Sequence, residues 1–401
     1  MANRLKQENT PRSFSKLSVH NIRLGGDTSG VSYMGNAWIQ IDRDFGGAMV
    51  PVLSWDLSPW KGENDTILLW PELRLEGDVD AELVVKLFSS QIVGDAMRTW
   101  HFSLRNLEDM ITIGEPEEGF LSFSMQASGK GSIFVGTLHA RKQVTKWGTI
   151  LAGDRRFVDL YGGEMFSSFD FGDRRAPLVV HFSDFQRKES YEDREIFRRF
   201  GVPMLVFMDP RLFEGCYYIG TPELEEHIAA NIQDAMNVLG INPSKVIFSG
   251  FGMGAYAALH YGVRFHPASI LITEPVVNIY DVALDERTLR PGRFPGALDA
   301  FLYLMQVKKP VSGRKLNDRI FRELDSANLQ DTVVGIAYMK EDDYDPTAYD
   351  DIVEHLALQK AAVYGKGVTG RHGDDPKAIF DWYLFRLKLL LREKYNREII
   401  V

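Results

Sequence analysis

Three short stretches hold residue types that can carry out acyl-transfer chemistry. "FSGFGMGAYAALHYG" (248–262) reads as the end of a buried strand, a tight glycine turn and a helix, with Gly252 at the apex. "MKEDDYD" (339–345) places Glu341, Asp342, Asp343 and Asp345 directly after an apolar run, and "KGVTGRHGDD" (366–375) holds His372 in a polar, glycine-rich loop. A histidine can take the proton of a hydroxyl, and a carboxylate can fix its tautomer and stabilise the imidazolium. Backbone N–H groups at such a turn can hold a developing oxyanion. Met253, next to the apex, would offer one, and "HFSDF" (181–185) would offer another near Ser183 or Asp184. The hydroxyl itself is missing. Gly252 stands where the serine of a G-x-S-x-G turn would be, and Ser249 lies on the strand rather than at the apex.

These pieces need a scaffold that brings distant loops to one edge. From residue 166 onward, apolar strands are predicted at 178–182, 203–208, 245–249, 268–272 and 332–338, with a weaker one near 361–364. Between the second and third, "TPELEEHIAANIQDAMNVLG" predicts a helix. Thr221 can cap its start, Leu224, Ile228, Ile232, Met236 and Leu239 form its apolar stripe, and Gly240 ends it. "DPKAIFDWYLFRLKLLLREKY" predicts a final helix on the sheet. Strands alternating with amphipathic helices imply a mostly parallel sheet with helices on both faces, an α/β-hydrolase-like arrangement. Turn, acid and histidine then follow in hydrolase order, each at a strand's C-terminal end, where such sheets bind ligands.

Residues 1–165 have a different texture. Six of the seven tryptophans fall here (Trp38, Trp55, Trp60, Trp70, Trp100 and Trp147). Alternating runs such as "AELVVKLFSS" and "GSIFVGTLHARK" are separated by the turn formers "EGDVD" and "ASGKGS", which predicts an antiparallel, sandwich-like domain. Its aromatics could stack sugars, although a sandwich core uses the same residues. A net charge of −9 argues against broad nucleic-acid binding. The single cysteine, Cys216, fits a reducing compartment, and neither a signal peptide nor a membrane span is read, so a cytoplasmic protein is expected. No cofactor and no metal are expected. Each motif also has a plainer reading. Close packing alone favours a glycine turn, the acidic run 341–345 could be a solvated loop capping a helix near Pro346, and His181, His260 and His355 read as packing or surface residues. His372 stands apart because no apolar neighbours in "TGRHGDD" would bury it.

Four ordered motifs, "DPRLFEGCYYIG" (209–220), "FSGFGMGAYAALHYG", "IAYMKEDDYD" (336–345) and the His372 loop, resemble the second of the three accessory secretory proteins of Gram-positive accessory Sec systems. The resemblance covers most of 165–401 and, more loosely, the N-terminal part. It implies a cytoplasmic partner of two sister proteins and an accessory SecA motor, with at most peripheral membrane contact, that helps export glycosylated serine-rich-repeat adhesins. It also implies a glycan O-acetyltransferase or carbohydrate-esterase ancestry with a serine, acid and histidine triad. By that resemblance the serine falls on Gly252, the acid on Asp342 with Asp343 as its nearest rival, and the histidine on His372; Gly373 replaces an expected asparagine. The first expectation is therefore an export component with a vacant nucleophile position. The alternatives are an acetyltransferase or esterase silenced by an introduced glycine, and a carbohydrate-binding module using the tryptophan-rich domain.

Overall fold

The computed structural model describes residues 16–90, 94–105, 107–143, 154–184, 189, 191, 193–212, 215–289, 291–292, 294, 296–307 and 313–397. The chain divides into two compact units, Met1–Ala152 with Leu160–Gly163, and Gly153–Asp159 with Glu164–Val401.

Among the described residues, the first unit is a nine-stranded antiparallel sheet dominated by three very long strands, Trp38–Trp55, Ile67–Phe88 and Gly119–Lys142. The predicted turns "EGDVD" and "ASGKGS" are not turns. They lie inside two of these strands and pair with each other, Glu76 with Ser132 and Gly77 with Gly131. Glycine makes this possible. A Cβ on Gly131 would sit 2.1 Å from the Glu76 carbonyl oxygen, and one on Gly129 would sit 2.2 Å from that of Asp78, so only glycines let the ladder approach this closely without breaking. Bulges at Asp44/Gly46, Gly46/Val50 and Pro51/Leu53 bend Trp38–Trp55. On Gly119–Lys142, Leu121, Phe123, Met125 and Ala127 alternate inward into a core shared with Leu83, Val85 and Leu87. Trp38, Trp55 and Trp70 are buried, and the Trp70 indole donates to the Gly162 carbonyl at 2.7 Å, so these three build the interior. Trp147 lies outside the described residues.

The second unit is an eight-stranded sheet: β1 (Arg155–Val158), β2 (Glu164–Asp170), β3 (Leu178–Phe182), β4 (Met204–Met208), β5 (Val246–Phe251), β6 (Ser269–Thr273), β7 (Val333–Met339) and β8 (Ala362–Val368). Their order is β1-β2-β4-β3-β5-β6-β7-β8. β2 runs antiparallel to β1 and β4, and every pair from β4 through β8 is parallel. This is the α/β-hydrolase arrangement. The helices are α1 (Arg194–Arg198), α2 (Pro222–Leu239), α3 (Met253–Phe265), α4 (Ile279–Leu289), α5 (Ala297–Met305), α6 (Arg314–Ser326), α7 (Ala348–Leu358) and α8 (Pro376–Tyr395). α2 starts where its sequence says it should. The Thr221 hydroxyl accepts from Leu224 N–H at 3.3 Å, and Gly240 ends the helix in the left-handed region at φ 65°. The central strands β3, β4, β5 and β6 are buried almost throughout, as a sheet covered on both faces requires. β8, by contrast, is a partly exposed edge.

Candidate active site

The candidate residues all follow the C-terminal ends of strands: Ser183 and Asp184 after β3, Gly252 and Met253 after β5, Asp342 and Asp343 after β7, and His372 after β8. Gly252 has φ 52° and ψ −115°, a conformation that L side chains rarely adopt. Its N–H donates to the Thr273 carbonyl at 3.0 Å, and its carbonyl accepts from Ala255 N–H at 3.1 Å. The strand therefore stops abruptly, and the next residue already begins α3.

Asp342 and His372 meet across the gap between two loops. His372 Nδ1 lies 2.9 Å from Asp342 Oδ2, while Asp342 Oδ1 accepts from the backbone N–H groups of Tyr344 (2.8 Å) and Asp345 (3.1 Å). Asp343 plays a different part, its carboxylate accepting from the backbone N–H of His372 at 3.2 Å. The histidine is not the solvated group its sequence neighbours predict. Its ring stacks on Tyr344 with centroids 4.2 Å apart, and its side chain is only 16% exposed. The acidic run is no solvated loop either. Asp345 is buried and accepts from Val277 N–H, Asn278 N–H and the Asn278 side-chain amide. Burial, with Asp342 nearby, nevertheless pushes its carboxyl up to about 6.

Glu274, immediately after β6, ties the turn to the histidine loop. Its carboxylate accepts from Gly373 N–H at 2.7 Å, and its neighbour Thr273 supplies the carbonyl bonded by Gly252. Met253 N–H donates at 3.1 Å to Asp184 Oδ1, so the Asp184 side chain, rather than its backbone, faces the turn. Ser183 N–H goes to the Phe207 carbonyl at 3.5 Å, and the Ser183 carbonyl accepts from Tyr218 OH at 2.7 Å. Together these residues form a turn, a carboxylate–histidine pair and a helix N-terminus at one sheet edge. A carboxylate and a histidine are thus paired on the same side of the sheet as the glycine turn, which itself carries no hydroxyl.

A model of the accessory Sec system GspB-transporter family matches residues 1–397. The chain belongs to that family. An accessory Sec system protein of Streptococcus gordonii is 32% identical over 362 residues, covering 90% of this chain and 71% of the relative. One from Staphylococcus aureus is 30% identical over 383 residues, 95% of this chain and 73% of the relative. Among solved structures, the Glycosylation Associate Protein (Gap123) complex from Streptococcus agalactiae has a chain similar at a TM-score of 0.90 and 32% identity, covering 96% of this chain and 74% of that one.

Within this accessory Sec family chain, two features go beyond the sequence expectations: the role of Glu274, and a connection between Ser249, expected on a strand, and His181, expected as a packing or surface residue. Glu274 carried a signal, being a charged residue directly after the apolar strand "SILIT". The second is a buried chain in which Ser249 Oγ lies 2.9 Å from His181 Nδ1, His181 Nε2 lies 3.1 Å from Asp193 Oδ2, and Tyr383 OH lies 2.8 Å from Ser249 Oγ. It has the residue types of a catalytic triad, but Ser249 and His181 are completely buried. Because Phe248 packs on Phe265 of α3, Ser249 faces away from that helix, toward Tyr383 of α8. The trio satisfies buried polar groups where no ester can reach it. Among the described residues, no helix is long and apolar enough to cross a membrane, and no group of three or more His, Cys, Asp or Glu could hold a metal ion.

The Asp342–His372 pair gives stability a pH dependence. Burial of the ring opposes the imidazolium, but the hydrogen bond and charge of Asp342, with Glu274 and Asp184 nearby, outweigh it and raise the His372 pKa above 6.5. The folded state therefore binds this proton more tightly than the unfolded one. The stabilisation is complete below pH 6.5 and is lost as pH rises through the folded-state value. Thermal unfolding of the protein and of His372→Gln should show the widest gap in Tm at about pH 5.5 and a narrower one at about pH 9. A gap that widens with pH would contradict the pairing.

Proposed function

We propose that this protein is a cytoplasmic component of an accessory Sec system that supports export of glycosylated serine-rich-repeat adhesins. It works by binding sister accessory secretory proteins, the accessory SecA motor and the glycosylated substrate rather than by acyl transfer. One observation carries the reading: 96% of the chain aligns at a TM-score of 0.90 with a chain that belongs to the Gap123 complex, which supports a role in such an assembly. The site supports the second half of the proposal. Asp342 and His372 are paired as an acid and a base would be, but Gly252 offers no atom on which an acyl group could rest.

The test is assembly. Co-expressed with its two sister proteins, the full chain should elute with both in one stoichiometric peak and remain bound at micromolar concentration. Separate elution of the folded chain under the same conditions would overturn the export reading. The paired acid and histidine favour the view that an acetyl-transferring ancestor supplied this frame.

A further inference from the structure

Glycine at the apex does not leave the apex empty. A Cβ built on Gly252 would lie 2.1 Å from Asp184 Oδ1, 2.4 Å from its Cγ and 2.6 Å from its Oδ2. These are three atoms of one carboxylate, and real Cβ atoms essentially never come closer than 3.0 Å to such a neighbour. The carboxylate is also held in place, since Oδ1 accepts from Met253 N–H at the start of α3. That amide is the donor an acyl oxyanion would need. Asp184 itself is anchored from below. Its neighbour Ser183 is tied through its carbonyl to Tyr218 OH, which also reaches the Phe207 carbonyl at 3.3 Å.

We infer that Asp184 is the internal occupant of this site: its carboxylate fills the volume a side chain at 252 would require and takes the N–H an acyl oxyanion would use. Gly252 and Asp184 then act as a unit, and losing the serine is only half of the change that separates this site from an esterase. The small residue at the apex makes room for the carboxylate, and the carboxylate caps a helix whose N-terminus favours negative charge. A carboxylate or oxyanion from outside meets both an occupied donor and a like charge, so the site as it stands rejects acyl substrates. It follows that restoring serine alone does not restore an esterase.

The experiment is a double-mutant cycle on the full chain with Gly252→Ser, Asp184→Ala, the two combined, and Asp184→Asn with Gly252→Ser as the variant that keeps the bulk. Each is followed by thermal unfolding and by hydrolysis of p-nitrophenyl acetate. Gly252→Ser should lower Tm by roughly 5 °C or more, because serine meets both the left-handed backbone and the carboxylate. Adding Asp184→Ala should recover most of that loss although Asp184→Ala alone lowers Tm, whereas Asp184→Asn should recover little. Hydrolysis by the Asp184→Ala/Gly252→Ser protein should exceed that of Gly252→Ser by on the order of 100-fold, the usual worth of a freed oxyanion donor, and disappear with His372→Ala. The melting cycle decides the matter because it needs no catalysis. Additive changes in Tm, or Gly252→Ser hydrolysing the ester as fast as the double variant, would overturn the inference. Neither result bears on assembly with the sister proteins, so this proposal and the export reading can fail separately.

Discussion

Arg211→Met is expected to lower the stability of the second unit by about 3–5 kcal/mol, the cost of stranding one partner of a buried ion pair. At about 2–4 °C per kcal/mol for a unit of this size, Tm should fall by roughly 10 °C. Arg211 is fully buried, and its guanidinium forks onto Asp209 with Nε to Oδ1 at 2.8 Å and Nη2 to Oδ2 at 2.6 Å. The remaining donors reach the carbonyls of Ile219 (2.8 Å) and Cys216 (3.2 Å). Asp209 in turn accepts from the N–H groups of Cys216 and Tyr218 at 3.1 and 3.0 Å. Burial opposes the charge on Arg211, but the adjacent Asp209 carboxylate outweighs it and the guanidinium stays ionised. The pair holds together a loop that is otherwise unfavourable, for Leu212, Tyr217 and Tyr218 all have positive φ without being glycine. Methionine keeps the length of the side chain and none of its donors, leaving Asp209 buried without a counter-charge. Asp209→Asn combined with Arg211→Met should therefore cost less than the sum of the two single changes. The same loop carries Tyr218, whose hydroxyl fixes Ser183 beside Asp184, so the damage reaches the site even though Arg211 touches none of it. Urea unfolding that finds Arg211→Met within about 1 kcal/mol of the parent would show that the pair is dispensable.

The reach of the sequence can be judged element by element. The strands β3 to β7 were legible because each is a compact apolar run bounded by polar turns, and α2 because its cap, stripe and stop agree; β8 was legible only weakly, since its sequence "AVYGKGV" mixes apolar residues with glycine and lysine. The first two strands of that sheet were not. "RRFV" and "EMFSSFD" are short or mixed in polarity, and only the pairing of β1 with β2 and of β2 with β4 identifies them as the antiparallel start of the sheet. In the N-terminal unit, glycines that look like turns stand inside continuous strands, because a glycine serves a close cross-strand approach as well as it serves a turn. For the candidate site, chain order gave only the acidic run 341–345, the family resemblance placed the acid on Asp342 with Asp343 as its nearest rival, and neither could foresee the stacking of Tyr344 on the His372 ring. Asp184 was noticed for the wrong atoms. Backbone donation can be guessed from a motif, but a side chain turned onto another segment's helix cannot.

Gly254→Ala is the sharper trial of how the turn itself is built, since two principles predict opposite signs. Gly254 lies in the first turn of α3, and within a helix alanine is ordinarily favoured over glycine by about 1 kcal/mol. Packing says otherwise. A Cβ there would stand 2.0 Å from the Phe182 carbonyl oxygen and 2.9 Å from that of Ser183, so α3 would have to lift away from β3. Those neighbours are backbone atoms of a central strand and cannot swing aside. Overpacking costs roughly 1–3 kcal/mol, and against backbone atoms that cannot move it falls at the upper end, which exceeds the propensity gain and fixes the sign as destabilising. Gly262→Ala, in the same helix, is the internal comparison. Its nearest neighbour at 2.8 Å is the Cδ1 of Ile270, the far end of a flexible side chain, so its effect should be small. Gly250 repeats the Gly254 case, its Cβ meeting the Gly254 carbonyl oxygen at 1.9 Å. If Gly254→Ala instead raises Tm, the helix and strand do not approach as closely as described. If it falls while Gly262→Ala holds, the outer glycines of G-x-G-x-G are required by the crossing of strand and helix whatever stands between them. Of the three, only the central position has a carboxylate from another loop in the place a Cβ would need.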